Sequence, residues 1–184
     1  MTERTDEEIA AVVQAGNIYD FGELVLRYEP KMMRYARKFL SCQEDIEDLV
    51  QDVFIKAYSN LQSFDTSLRF SPWLYRIAHN TFVNELKRKS RFSLGVFEAD
   101  VLLPQLPAKE SSDDQVLETE LKGEMELHLA KLAPKYREVI ILHYFDEFSY
   151  QEISDIMQIP ITTVGVRILR AKNKLKQTLK KLYE

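Results

Sequence analysis

The stretch from Ser149 to Lys181 constrains this chain more than any other. It opens as Ser149-Tyr-Gln-Glu-Ile-Ser-Asp-Ile-Met157, passes through Gln158-Ile-Pro160, and continues as Ile161-Thr-Thr-Val-Gly-Val-Arg-Ile-Leu-Arg-Ala-Lys-Asn-Lys-Leu175. Ser149 and Glu152 have the spacing of a capping box, in which each side chain satisfies a backbone N–H left open by the first helical turn. Ile153, Ile156 and Met157 then recur at helical spacing. Pro160 lacks an N–H and has a fixed φ, so it either stops that helix or opens the next. Val164, Ile168, Ala171 and Leu175 form the apolar stripe of the following helix. Its other faces carry Arg167, Arg170, Lys172 and Lys174. Two helices joined by a tight turn, the second one basic, form a helix-turn-helix pattern. The same spacing also fits an ordinary helical hairpin with a solvated basic face.

Charge bears on that choice through its distribution. The chain of 184 residues has a net charge of −4, which does not by itself point to nucleic acid. From Ile161 to Glu184, however, Arg167, Arg170, Lys172, Lys174, Lys176, Lys180 and Lys181 stand against Glu184 alone. The middle is the reverse, with Glu98, Asp100, Glu110, Asp113, Asp114, Glu118 and Glu120 against Lys109. Such asymmetry speaks to partners more than the total does. One cysteine, Cys42, excludes an intramolecular disulfide and suits a reducing compartment. No basic, apolar leader opens the chain and no apolar run is long enough to span a bilayer. The expectation is a soluble, cytoplasmic protein.

Helical spacing also dominates the N-terminal half. Asp6 is expected to cap a short helix ended by Gly16. Asp20 is expected to cap a second, with Phe21, Leu24, Val25 and Tyr28 on one face. Pro30 either bends that helix or marks a break before Met32–Leu40. Ile46, Leu49, Val50, Val53, Phe54, Ala57, Tyr58 and Leu61 then form an unbroken three-four pattern, with Glu44, Glu47, Asp48, Gln51 and Asp52 opposite. Ile55 falls among those polar residues. An aliphatic anchor with a polar rim suits a protein-docking spot, although one exposed Ile needs no explanation. Phe64-Asp-Thr-Ser-Leu-Arg-Phe70 reads as a loop. Ser71-Pro72 reads as the start of a helix whose inner stripe is Leu74, Ile77, Ala78 and Thr81. Trp73, Arg76, Asn80, Asn84, Lys87 and Arg91 share another face. Rings interleaved with cations suit single-stranded nucleic acid, where bases stack at about 1–3 kcal/mol each. A core Trp with a basic helix end fits the same pattern.

Periodicity fails from Phe92 to about Asp114, a stretch too long for a compact connection and read as an acidic linker. Val101-Leu-Leu103 within it is apolar and suits docking on a partner, although a disordered tether with a few apolar residues fits most of its length. Helix returns near Gln115, with Leu117, Leu121, Met125, Leu129 and Leu132 on one side, and Pro134 opens another helix running to Phe145. The fold expected is all-α: two small helical domains joined by an acidic, flexible linker, the C-terminal one carrying the helix-turn-helix.

Taken together, these segments resemble the bacterial extracytoplasmic-function (ECF, group 4) sigma factors, specificity subunits of RNA polymerase. Phe21-Gly-Glu-Leu-Val-Leu-Arg-Tyr28 and Glu44-Asp-Ile-Glu-Asp-Leu-Val-Gln-Asp-Val-Phe-Ile-Lys-Ala-Tyr58 look like the family's polymerase-binding segment. Phe70-Ser-Pro-Trp-Leu-Tyr-Arg-Ile-Ala-His-Asn80 with Lys87-Arg-Lys-Ser-Arg91 looks like its promoter-melting segment. Leu132-Ala-Pro-Lys-Tyr-Arg-Glu-Val-Ile140 and the Ser149–Arg170 stretch look like its second DNA-binding domain. The resemblance implies that 1–91 is sigma region 2, 92–114 a linker and 115–184 sigma region 4. It implies that Asp48, Gln51, Asp52 and Ile55 dock on the clamp helices of the largest polymerase subunit. Phe64, Phe70, Trp73, Arg76, Asn80, Asn84, Lys87, Arg88 and Arg91 would take the −10 strand as it opens, the loop holding an unstacked base as in base flipping. Thr162, Thr163, Val166, Arg167, Leu169, Arg170 and Lys174 would read the −35 element as duplex. An anti-sigma factor is a further implied partner.

The chain departs from the family at two places. Where Gly-Thr-Val-Lys-Ser-Arg is usual, it has Thr162-Thr-Val-Gly-Val-Arg167. Gly165 thus replaces a base and Val166 a hydroxyl. A helical Gly costs roughly 1 kcal/mol against Ala, while Val166 can still touch a thymine methyl. Asn84 stands where an Asp is usual. Two other classes compete. A helix-turn-helix regulator independent of polymerase would not be retained by core enzyme. An enzyme built on Glu44, Glu47, Asp48 and Asp52 would need metal, but no Glu-x-x-His accompanies them and His79, His128 and His143 are scattered. No Gly-rich phosphate loop or nucleophile motif is present. No cofactor, metal or catalytic residue is expected.

Overall fold

A computed structural model of the chain describes residues 4–40, 42–93, 128–129 and 131–183, with backbone alone at 90–93 and 178–183. The described residues form helices and turns, with no strand among them. They divide into two compact units. The residues beyond Ser93 read as linker, with Val101-Leu-Leu103, Leu117, Leu121 and Met125, lie outside the described set.

The N-terminal unit comprises α1 (Asp6–Gln14), α2 (Phe21–Ala36), α3 (Gln43–Asn60) and α4 (Phe70–Ser93), with 3₁₀ turns at Ile18–Asp20 and Leu61–Ser63. Their apolar stripes meet in one core. Ile9 and Val13 come from α1; Leu24, Tyr28, Met32 and Tyr35 from α2. Ile46, Val50, Val53 and Ala57 come from α3, and Leu74, Tyr75, Ala78 and Phe82 from α4. Tyr35 is the hub, its ring 5.1–5.7 Å from those of Phe39, Tyr75 and Phe82. Truncating such a ring costs about 3–5 kcal/mol.

Several helix caps differ from the sequence expectation. Thr5, not Asp6, caps α1: its Oγ1 accepts the Glu8 N–H at 3.2 Å, and Glu8 accepts the Thr5 N–H at 2.9 Å. Asp6 instead accepts from Arg27 at 2.8 Å and from the Tyr28 hydroxyl at 2.5 Å, tying α1 to α2. Burial and this carboxylate push the Tyr28 phenol well above its ordinary pKa. Asp20 precedes α2 without a side-chain cap bond, because Arg4 and Asn17 occupy it. Pro30 does not break α2, which continues to Ala36. Its missing hydrogen bond, at a cost of about 3 kcal/mol, is outweighed by Tyr28, Met32 and Tyr35 buried on either side of it. The fourth helix begins at Phe70 rather than after Ser71, and the Phe70 N–H is taken by Glu7 Oε1 at 2.8 Å. Tyr58, expected in the α3 stripe, is exposed, with its ring edge-on to Phe21 at 5.2 Å.

The C-terminal unit comprises α5 (Pro134–Ile140), a π-helical turn (Ile141–Phe145), α6 (Tyr150–Met157) and α7 (Ile161–Tyr183). The helix opened by Pro134 therefore widens before it ends: Asp146 N–H reaches Ile141 O at 3.0 Å, and Phe148 N–H reaches Leu142 O at 2.9 Å. Leu129, Leu132, Ile140 and Ala171 are buried together, with Tyr136 and Leu175 packed beside them. Ile153, Ile156, Val164 and Ile168 are buried as their spacing requires. Arg137 is buried, donates to Leu132 O at 3.1 Å, and has its pKa lowered by desolvation. No helix among the described residues is long and apolar enough to cross a membrane.

Candidate nucleic-acid interface

The helix-turn-helix is built by local chemistry. Ser149 and Glu152 close the capping box: the Ser149 N–H donates to Glu152 Oε2 at 2.8 Å, and the Glu152 N–H to Ser149 Oγ at 3.2 Å. At the turn, Gln158 takes φ 53°, a left-handed conformation in which a Cβ crowds the carbonyl. Ser154 holds the turn from both sides, its hydroxyl donating to Ile159 O at 2.5 Å and its carbonyl accepting the Ile159 N–H at 3.2 Å. Pro160 stands at the cap of α7, where its carbonyl accepts from Thr163 at 2.8 Å and Val164 at 3.2 Å. It opens the second helix rather than ending the first.

With Val164, Ile168 and Ala171 buried, helical geometry turns Thr162, Val166, Leu169, Arg170 and Asn173 outward. Thr163 and Arg167 are half-buried at the shoulder, and Lys174 is exposed, its Nζ 5.8 Å from the Tyr136 ring centre. A Cβ at Gly165 would meet Tyr150 Cε2 at 3.7 Å, an ordinary contact. Tyr150 thus covers the side where a longer residue at 165 would start.

In the N-terminal unit, Asp48, Gln51, Asp52 and Ile55 lie together on the exposed face of α3, opposite Ile46, Val50, Val53 and Ala57. Ile55 is 62% exposed. On α4, Arg76, Asn80, Asn84 and Lys87 share an exposed face, with Trp73 half-buried at its head. Arg88 is held by Glu85 through two bonds of 2.7 and 2.6 Å, which keep that carboxyl below its usual range. The Arg91 side chain lies outside the described set.

Phe64 and Phe70, the two rings of the segment that reads as a loop, are buried. They are 5% and 1% exposed and form the floor beneath Trp73, at ring distances of 5.0 and 5.5 Å. An apolar loop end flanked by core helices buries its rings. What the loop offers outward is Asp65–Arg69, turned by Asp65 Oδ1 accepting the Ser67 N–H at 2.9 Å. The Ser67 hydroxyl, and then that bond, hold the Asp65 carboxyl low.

Sequence reasoning missed the residues that fix this loop. Gln14 Nε2 donates to both Leu61 O and Phe64 O at 2.8 Å, while Glu7 holds Phe70 at the other end. Both come from α1, far away in the chain, so no local signal marks them. Among the described residues no cluster of His, Cys, Asp and Glu has the makings of a metal site.

A helix-turn-helix with a basic second helix in one unit and an aromatic, cationic face in the other suggest a class, and the comparisons identify it. Residues 24–92 match Sigma-70 region 2, and residues 123–175 match Sigma-70, region 4. The chain is 34% identical to the ECF RNA polymerase sigma factor SigW of Bacillus subtilis over 176 residues, covering 92% of this chain and 94% of the relative. Its fold resembles that of CnrH in complex with the cytosolic domain of CnrY, with a TM-score of 0.70, 28% identity, and coverage of 97% and 99% of the two chains. It also resembles the sigma factor RpoE in complex with the anti-sigma factor NepR from Bartonella quintana, with a TM-score of 0.66, 31% identity, and coverage of 88% and 97%. The chain belongs to the ECF RNA polymerase sigma factors. It binds core RNA polymerase and directs promoter-specific initiation of transcription.

Proposed function

We propose that the two outward faces of region 2 divide this work. Asp48, Gln51, Asp52 and Ile55 on α3 dock on the clamp helices of the largest polymerase subunit, Ile55 as apolar anchor and the others as polar rim. Trp73, Arg76, Asn80, Asn84 and Lys87 on α4 take the −10 strand as it opens, joined by Arg88 and Arg91 at the basic helix end. The tip of the Asp65–Arg69 loop holds an unstacked base over the floor made by Phe64 and Phe70. Thr162, Thr163, Val166, Arg167, Leu169, Arg170 and Lys174 on α7 read the −35 duplex. The domains are 1–91 and 115–184, separated by the linker 92–114, and the subgroup is group 4. An anti-sigma factor is a further partner, by analogy with the RpoE–NepR complex.

One observation carries this reading: within a single domain, an exposed aliphatic ringed by Asp48, Gln51 and Asp52 lies on a different helix from the Trp73 face. Protein and DNA can therefore be held at once. Trapping unpaired bases favours the open state by differential affinity. Trp73→Ala is expected to impair promoter opening, read by permanganate footprinting, more than closed-complex formation. Equal loss of both would refute the role of Trp73. Asp48→Arg is expected to abolish retention on immobilised core enzyme, and retention at the normal level would refute the docking face.

A further inference from the structure

Besides Ile161 at its start, two branched aliphatics of α7 are exposed, on the side away from its buried stripe. Val166 is 46% exposed and Leu169 60% exposed. A lone exposed Leu needs no explanation, but these two are neighbours on one helical face, opposite Val164, Ile168 and Ala171. Arg170, exposed beside them, supplies the attraction to phosphates that brings such a face to DNA. At the position before Val166 the chain has Gly165, which offers no side-chain donor, and the space beside it is bounded by the Tyr150 ring. Between Thr162 and Asn173, which also turn outward, the middle of the face is therefore apolar.

The major groove displays hydrogen-bonding groups on every base pair and a single kind of apolar group, the C5-methyl of thymine. An apolar side chain pressed against a donor or acceptor leaves that group unsatisfied, which is costly, whereas one pressed against a methyl removes both from water. We propose that Val166 and Leu169 read thymine methyl groups, so that this protein selects its −35 element through apolar contact at the centre of the helix. The proposal rests on α7 reading the −35 duplex and adds the chemistry by which it discriminates. Val166 and Leu169 are the specificity-determining residues, and Arg170 positions them on the backbone.

The test uses holoenzyme assembled from core polymerase and the full chain. A promoter pool randomised across the −35 region is selected by binding, and the selected element is then synthesised with deoxyuridine in place of each thymine, which deletes only the methyl. Thymines, on either strand, are expected at neighbouring positions, and each critical deoxyuridine is expected to weaken binding about fourfold, the equivalent of one buried methyl-sized group. Val166→Ser or Leu169→Ala should each make binding indifferent to the methyl it contacts, while binding to the remaining thymines stays methyl-sensitive. A selected element without shared thymines, or one indifferent to deoxyuridine at every position while scrambling it still abolishes binding, overturns methyl readout and leaves −35 recognition standing. A pool that yields no enriched −35 sequence overturns both.

Discussion

Single residues in the helix-turn-helix carry stability costs that can be measured. Gln158 occupies a left-handed position with φ 53°, where a side chain costs on the order of 1 kcal/mol. Gln158→Gly is expected to recover most of it, raising the melting temperature of the C-terminal unit by a few degrees in calorimetry. Gly165 is the complementary case. Its added Cβ would sit at 3.7 Å from Tyr150, so Gly165→Ala is expected to stabilise by up to about 1 kcal/mol, read as a higher urea midpoint. The sequence made Gly165 visible as an oddity inside a helix. It did not reveal that Tyr150 borders the space, because that contact joins two helices. Phe64 and Phe70 make a related point: the sequence marks them as two rings in a loop but not where they point, and only the packing of α1, α2 and α4 around them puts them beneath Trp73.

Among the elements, α1 is the one whose role exceeds its size. Through Gln14 and Glu7 it holds both ends of the Leu61–Phe70 segment. Gln14→Ala leaves two carbonyls without this donor and is expected to cost about 1–3 kcal/mol, with slower promoter opening and unchanged retention on core enzyme. A second link, Lys89 to Asp45, joins α4 to the start of α3. Lys89 holds the Asp45 carboxyl below its ordinary value of 3.8. A carboxylate with a lowered folded-state pKa stabilises fully above its unfolded value, and loses that contribution as pH falls through the folded one. Asp45→Asn is therefore expected to lose no more than about 1 kcal/mol at neutral pH, the pair being largely solvent-exposed. The difference from the parent should begin to shrink as pH falls below about 4, and vanish only once the folded-state carboxyl is itself protonated, in paired urea titrations. Helix interiors were legible from apolar spacing, as α3 and α7 demonstrate. Helix starts were less so, since Thr5, Glu7 and Arg4 redirected the caps expected of Asp6, Ser71 and Asp20.

For the molecule as a whole, the proposed division of the promoter between two helical units on one polymerase has a physical advantage. Tethering both to one enzyme raises the effective concentration of each for its own element, so neither needs to bind DNA tightly alone. The electrostatic share is testable: if Arg170 meets a phosphate, Arg170→Ala should reduce the slope of log affinity against log salt by about 0.9 for holoenzyme on a duplex promoter. Local patterns along the chain were enough for the helical class, most of the buried stripes, the capping box at Ser149 and the order of motifs that marks the family. All of these are periodicities and neighbour relations within a few residues along one chain. Tertiary structure alone decided that Asp6 and Asp20 are drawn away from capping, that Pro30 is carried inside α2, that Phe64 and Phe70 lie buried beneath Trp73, and that α1 secures the Leu61–Phe70 segment. Those outcomes depend on partners far apart in the chain, whose competing hydrogen bonds and burial outweigh local preference by about a kilocalorie or more.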